Sequence, residues 1–280
     1  MKLIVYATIA VGLFVALSLV SFWLAVRPPR MTIPITPADV RLEVEEVTIP
    51  TADGLRLSAW LAVRPGAPAI VLLHGYPAEK ADMLPLGSAL ARRFTVMLVD
   101  LRYFGRSEGQ VTTLGFRERV DLHRVVDVLA ARGFDRVGVF GFSLGGAVAI
   151  TAAAEEPRIG AIAVYSPFAD LRTLAHELYS WMGPVRYPFV GLMRLWSRLF
   201  LGADVTAVSP VVAAARLAIP VYLIASRDDE QIPFRHAERL RDALAGNPRA
   251  EFEFMDRGHH GMLAPDVEQQ LERFFQRALE

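Results

Sequence analysis

The sequence predicts an α/β fold with a mostly parallel central sheet and helices on both faces. Three observations carry this. Short apolar runs of strand type recur along the chain, helical stretches fall between them, and residues able to do chemistry cluster where the runs end. Alternation of this kind builds crossover connections between parallel strands, and such sheets place their sites at the carboxyl ends of the strands.

Taken in order, residues 44–49 and 55–63 read as two strands around a turn at Ala52, Asp53 and Gly54. Residues 69–73 are a short buried-type strand, followed by a helical stretch over about 81–92. The next strand, 94–99, ends at Asp100. Helical spacing covers 117–132, a strand follows at 136–140, and an alanine-rich helix runs to about Glu155. Residues 159–165, 221–225 and 251–254 are further strands. The helix 267–279 closes the series with Leu271, Phe274 and Phe275 on its inner face. Residues from about 168 to 211 interrupt the alternation and read as an inserted helical cap.

The front of the chain is different in kind. From Leu3 to Val26 there are 24 residues without a charge. As a helix this stretch is about 36 Å long, enough to cross a hydrocarbon core of about 30 Å. Lys2 precedes it, Arg27 and Arg30 follow, and Trp23 stands where an interfacial aromatic belongs. A cleaved signal peptide is the alternative. The run is longer than a signal core and no small-x-small cleavage site follows it, which favours an uncleaved single-pass anchor. The flanking charges do not choose a membrane face. The expected organisation is a transmembrane anchor over 1–27, a proline-stiffened spacer over 28–42 holding the body off the membrane, and a single α/β domain over 43–280.

The chain holds 30 basic and 30 acidic residues, so its net charge is zero, which argues against nucleic acid as a partner. Hydrophobic residues make up 53% and charged residues 21%, which excludes global disorder. With no cysteine there is no disulfide, thiolate metal site or cysteine nucleophile. A zinc-protease His-Glu-x-x-His helix and a phosphate-binding Gly-Lys-Ser/Thr loop are also missing, so no metal or other cofactor is implied.

One constellation carries chemistry. Gly141-Phe142-Ser143-Leu144-Gly145 has the G-x-S-x-G form, after an apolar strand and before a small-residue helix. That pattern makes a sharp turn lifting a serine oxygen clear of the sheet, with flanking residues that must be small. Ser143 is the expected nucleophile. A serine hydroxyl needs a base. Of six histidines, His123, His176 and His236 fall in helical stretches and His74 belongs to an earlier strand end. This leaves His259 and His260 on the loop after the last strand, His259 being the first choice and His260 the alternate. The acid that orients the base comes from Asp228-Asp229-Glu230 after the strand at 221–225, Asp229 being preferred and Asp228 next. The oxyanion needs two N–H donors, and the backbone of Leu144 and Tyr76 is placed to supply them.

These motifs resemble the α/β-hydrolases. The likeness rests on His74-Gly75-Tyr76-Pro77, the Asp100 to Gly109 stretch, the elbow from Gly141 to Gly146, Asp229 to Pro233, and Gly258-His259-His260-Gly261. It covers residues 43–280 and is similar to the membrane-anchored esterase, thioesterase and lysophospholipase-like branch and to serine-aminopeptidase-type sequences. The resemblance implies a serine hydrolase of carboxylic esters or thioesters, acyl or lipid-like, with a Ser143–Asp229–His259 triad. One departure stands out. Tyr103 occupies a place where relatives usually carry glycine.

The cap adds a substrate expectation. Between residues 168 and 200 lie seven aromatic residues, from which Trp181, Tyr187 and Trp196 are the expected pocket-lining side chains. From 171 to 203 four arginines face one acid, and Arg194 and Arg198 share a helix face. This predicts a cap lying on an anionic bilayer. Two other readings stay open: a serine aminopeptidase-type peptidase, which would need an acidic group for the substrate amine, and a catalytically retired membrane-tethered binding module.

Overall fold

In the computed structural model, which describes residues 1–262 and 266–279, eight strands form one sheet. They are β1 (Glu45–Pro50), β2 (Arg56–Ala62), β3 (Ala69–Leu73), β4 (Thr95–Val99), β5 (Val137–Phe142), β6 (Ile159–Tyr165), β7 (Val221–Ser226) and β8 (Ala250–Met255). Their order is β1-β2-β4-β3-β5-β6-β7-β8. β2 pairs antiparallel with β1 and β4, and all pairs from β4 through β8 are parallel. The central strands β3, β4, β6 and β7 are buried at every residue, as unbroken apolar runs must be when helices cover both faces. β8 is the half-exposed edge. It carries Glu251 and Glu253, charges that discourage pairing with another chain.

The helices are α1 (Lys2–Val26), α2 (Leu84–Leu90), α3 (Glu118–Ala130), α4 (Leu144–Ala153), α5 (Leu171–Leu178), α6 (Arg186–Leu201), α7 (Pro210–Ala214), α8 (Arg235–Ala243) and α9 (Val267–Leu279). One face of the sheet packs on α3, α4, α7 and α8, the other on α2 and α9. The helix expected over 81–92 is shorter. Lys80–Met83 form a tight 3-10 turn, held because the Lys80 backbone N–H donates to Asp100 Oδ1 at 2.7 Å, and Pro85 then opens α2 in its first turn. Lys80 and Asp100 form a fully buried ion pair that ties this turn to the end of β4.

α1 does not stand apart from the body. It packs on α6, with Phe14 against Phe189 and Phe22 against Phe200, and Trp196 Nε1 donates to Ser18 Oγ at 3.0 Å. Its other side shows exposed leucine, isoleucine and valine, including Leu3, Ile9, Leu13, Leu17 and Leu24. The segment expected to act as a spacer is a correction to the sequence reading. Ile33, Ile35, Val40 and Leu42 pack on the core beneath α2 and α9, and the Ile33 N–H donates to Glu79 at 2.6 Å. Residues 37–41 form a turn, closed by the Leu42 N–H on the Pro37 oxygen at 2.9 Å, so Ile33 and Ile35 before it and Leu42 after it all reach the body. Residues 263–265 and 280 of the expected α/β domain lie outside the described residues.

The arginines of α6 also need correction. Arg194 and Arg198 both bond Asp204 Oδ2, at 2.8 and 2.7 Å. Asp204 lies one residue beyond the stretch whose charge was counted, and it offsets one of the two charges on the face predicted to meet anionic lipid.

Candidate active site

β5 ends by turning directly into α4, and Ser143 is the corner. Its φ of 50° and ψ of −112° are strained for a residue with a side chain, and its N–H is held by the Tyr165 carbonyl at 2.8 Å. The flanking glycines explain why the corner closes. A Cβ on Gly141 would lie 2.3 Å from the Gly145 carbonyl oxygen, and one on Gly145 would lie 2.5 Å from the Leu73 oxygen. Strand, elbow and helix therefore interlock only without those two side chains. Leu144 is the first residue of α4, so its N–H has no acceptor within the helix and the positive end of the helix faces Ser143.

The loop after β3 is set by His74, which is wholly buried. The Leu101 N–H donates to its Nε2 at 3.0 Å, so Nδ1 carries the proton and donates to the Gly75 oxygen at 2.7 Å. Burial holds this imidazole below its ordinary pKa and keeps it neutral. His74 thus ties the ends of β3 and β4 together and presents Tyr76. Tyr76, Ser143 and Leu144 line one cleft of about 360 Å³, within the usual size of a small-molecule site.

The acid is Asp229. Its Oδ1 accepts the backbone N–H groups of Gln231 and Ile232 at 3.0 and 2.8 Å, and its Oδ2 faces His260 Nδ1 at 2.8 Å. Burial pushes this carboxyl up. The His260 hydrogen bond and the Ile232 N–H outweigh burial and hold it below the ordinary carboxylate range. Asp228 is exposed.

The preferred histidine of the sequence reading is corrected by this geometry. His259 points outward to Glu230 at 3.3 Å, its side chain 77% exposed, whereas the His260 side chain is 6% exposed and carries the bond to Asp229. Two adjacent residues on a tight loop face opposite ways, and only one can reach the buried acid. Two side chains not foreseen hold His260 there. The ring of Phe142, beside Ser143 in the elbow, lies 4.8 Å from the imidazole between centroids, and the Tyr165 hydroxyl donates to the Met262 oxygen at 2.6 Å. An apolar residue inside the elbow was the available signal for the first. Nothing in the sequence marks the second. Ser143 and His260 line adjoining cavities that share Tyr76 and Gln231.

The expected aromatic wall is likewise corrected. Trp181 and Tyr187 are exposed at 77% and 57%, and Trp196 turns to α1. The cleft is walled instead by Phe168 and by Leu171, Leu174 and Leu178 of α5. Composition told that this segment is apolar and could not tell which side its large rings face. Among the described residues there is no cluster of side chains able to hold a metal ion.

Known proteins share this architecture. Residues 68–206 match a family model described as alpha/beta hydrolase fold. The chain is 28% identical over 229 residues to the uncharacterized protein YqkD of Bacillus subtilis, covering 79% of this chain and 74% of that one. It is 28% identical over 238 residues to the alpha/beta hydrolase domain-containing protein WAV2 of Arabidopsis thaliana, covering 81% and 75%. Among solved structures it is similar to the Pyrococcus furiosus esterase Pf2001, with 25% identity, a TM-score of 0.75, and coverage of 91% of this chain and 99% of that one. With the sheet order, the strained serine corner and these likenesses in agreement, the chain belongs to the α/β-hydrolase superfamily.

Proposed function

We propose that the protein is a serine esterase or thioesterase working through an acyl-enzyme, with Ser143 as nucleophile, His260 as base and Asp229 as the orienting acid. The observation that carries this is the buried 2.8 Å bond between His260 Nδ1 and Asp229, on the loop packed against the Ser143 corner. That bond places the proton on Nδ1 and leaves Nε2 free to accept. The Ser143 oxygen attacks the ester carbonyl as its proton passes to His260 Nε2. The N–H groups of Tyr76 and Leu144 take the developing oxyanion. Collapse of the tetrahedral species expels the alcohol or thiol, which receives the proton from His260. Water then attacks the acyl-serine by the same route and releases the acid. Similarity to an esterase over nearly the whole fold supports the ester reading. No step calls for a cofactor.

The cleft favours an acyl group without charge. Apart from Glu230 near the Asp229 loop its lining is uncharged and mostly leucine, isoleucine and phenylalanine. α1, at 25 residues, is long and apolar enough to cross a bilayer, and we take it to be a single-pass anchor. The test is labelling with a fluorophosphonate probe together with p-nitrophenyl ester turnover. Wild type should label and turn over, and Ser143→Ala should lose both while unfolding at the same temperature. An unlabelled, inactive wild type would favour a retired binding module.

A further inference from the structure

The anchor helix reaches the catalytic cleft itself. Ala25, in its last turn, lines the 360 Å³ cleft beside Ser143 and Tyr76. It also lines a second apolar chamber of about 100 Å³ between α1, α5 and α6, whose walls include Phe22, Val26, Val190 and Met193. The two spaces meet along four shared residues, Ala25, Leu114, Leu171 and Leu178. Among the described residues no charged side chain lines the second chamber.

The end of α1 is fastened to the body by bonds that leave it little freedom. The Tyr76 hydroxyl donates to the Ala25 oxygen at 3.1 Å, and burial, holding that phenol up to about 12, keeps it a donor. The Thr112 N–H donates to the Val26 oxygen at 3.0 Å. The Tyr103 hydroxyl donates to the Pro28 oxygen at 2.5 Å, and the Arg30 guanidinium lies 5.0 Å over the Tyr103 ring while bonding the Gly109 oxygen at 3.1 Å. Tyr103, the departure from the family pattern, therefore grips the segment leaving the anchor. It does so from a φ of 75°, a backbone conformation that costs energy in any residue with a side chain.

Resting on the esterase reading above, we infer that the last turn of the anchor is a wall of the substrate site. The acyl chain of the substrate runs from Ser143 along α5 and into the chamber between α1 and α6. Polarity selects an uncharged hydrocarbon tail, because the four residues at which the two spaces meet are all apolar and Ala25 is the smallest of them. A larger side chain at Ala25 should close the passage without touching the serine corner. The anchor then sets chain-length preference as well as location.

The experiment uses the full chain in detergent micelles, with p-nitrophenyl acetate and decanoate as substrates and a short-chain and a long-chain alkyl fluorophosphonate as probes. Ala25→Phe should lower the decanoate-to-acetate ratio of kcat/KM by about tenfold or more, and slow long-probe labelling relative to short-probe labelling by a similar factor. Leu178→Trp narrows the same passage from the α5 side and should shift both ratios the same way; it decides the matter if Ala25→Phe no longer takes the short probe. Ratios within about twofold of wild type, in a variant that still takes the short probe, would overturn the inference while leaving the esterase intact. A wild type that takes neither probe and cleaves neither ester would overturn the esterase reading and this inference with it.

Discussion

His260 and Asp229 sit beside a second pair made of the same chemistry, His259 and Glu230. Each is an imidazole Nδ1 facing a carboxylate, and the members are neighbours in sequence. The difference is water. The side chains of the first pair are 6% and 1% exposed and those of the second 77% and 53%, and the contacts are 2.8 and 3.3 Å. Buried, the carboxylate has lost its solvent and is held by Ile232, Gln231 and His260, so its orientation is fixed. Exposed, the other pair competes with water and contributes little. One imidazole can be kept in a single tautomer and direction, and the other cannot.

The largest expected effect breaks the pairs apart directly. His260→Ala should lower kcat for a short p-nitrophenyl ester by about a thousandfold or more, since both the base and its orientation are lost. His259→Ala should stay within about threefold of wild type. Equal losses, or a larger loss at His259, would reverse the assignment. Asp229→Asn comes next, expected to cost about a hundredfold or more, because an amide no longer fixes the Nδ1 proton. Glu230→Gln keeps an oxygen that can accept the His260 backbone N–H, now 3.2 Å away, and should cost less than about tenfold.

Acid sharpens the same contrast. The Asp229 carboxyl titrates below its ordinary range in the folded protein. Such a group stabilises the fold at pH above its unfolded value of about 4, and that stability is lost as pH falls through the lower folded value. The stability gap between wild type and Asp229→Asn, measured by denaturant unfolding, should therefore be widest near neutral pH and narrow below about pH 4. The Glu230 carboxyl is lowered too, by its own backbone N–H and that of His260, but it is open to water, so the gap for Glu230→Gln should stay small throughout. A gap for Asp229→Asn that does not change with pH would mean the ionised carboxylate is not what the folded state favours.

The contrast also explains what could be read in advance. β3 and β6 were legible to the residue, because unbroken runs such as Ala69–Leu73 and Ile159–Tyr165 are stable only between two helical layers. The serine corner was legible because Gly141 and Gly145 are demanded by atoms 2.3 to 2.5 Å away, a local constraint that leaves a local pattern. The choice between His259 and His260 was not. Both residues fit the loop, and the deciding term, desolvation of Asp229, depends on strands distant in sequence. Tyr187 and Trp196 failed for a related reason: composition records how apolar a helix is, while the rotation of α6 about its axis follows from its packing on α1; Trp181 lies in the 3-10 turn before α6. Asp204 was missed by one residue, since charge counted along the chain ignores what a loop folds back.

The smallest expected effect asks what keeps the two imidazoles facing opposite ways. The loop is pinned on one side by the Tyr165 hydroxyl on the Met262 oxygen. Burial and the nearby Asp229 charge push that phenol up to about 12, so it stays a donor across the whole working range of pH. Tyr165→Phe removes one hydrogen bond and keeps the ring that stacks on Phe142 at 5.7 Å. The direct loss should be about 1 kcal/mol of stability. If the pin acts by aiming His260, kcat should also fall by roughly fivefold with KM little changed. The double variant Tyr165→Phe with His260→Ala should then be no slower than His260→Ala alone, because a pin has no effect on a base that is absent. The same double with His259→Ala should show the full fivefold. Equal, additive losses in both doubles would make Tyr165 a general support of the fold, and the direction of His260 would then depend on Phe142 and Asp229 alone.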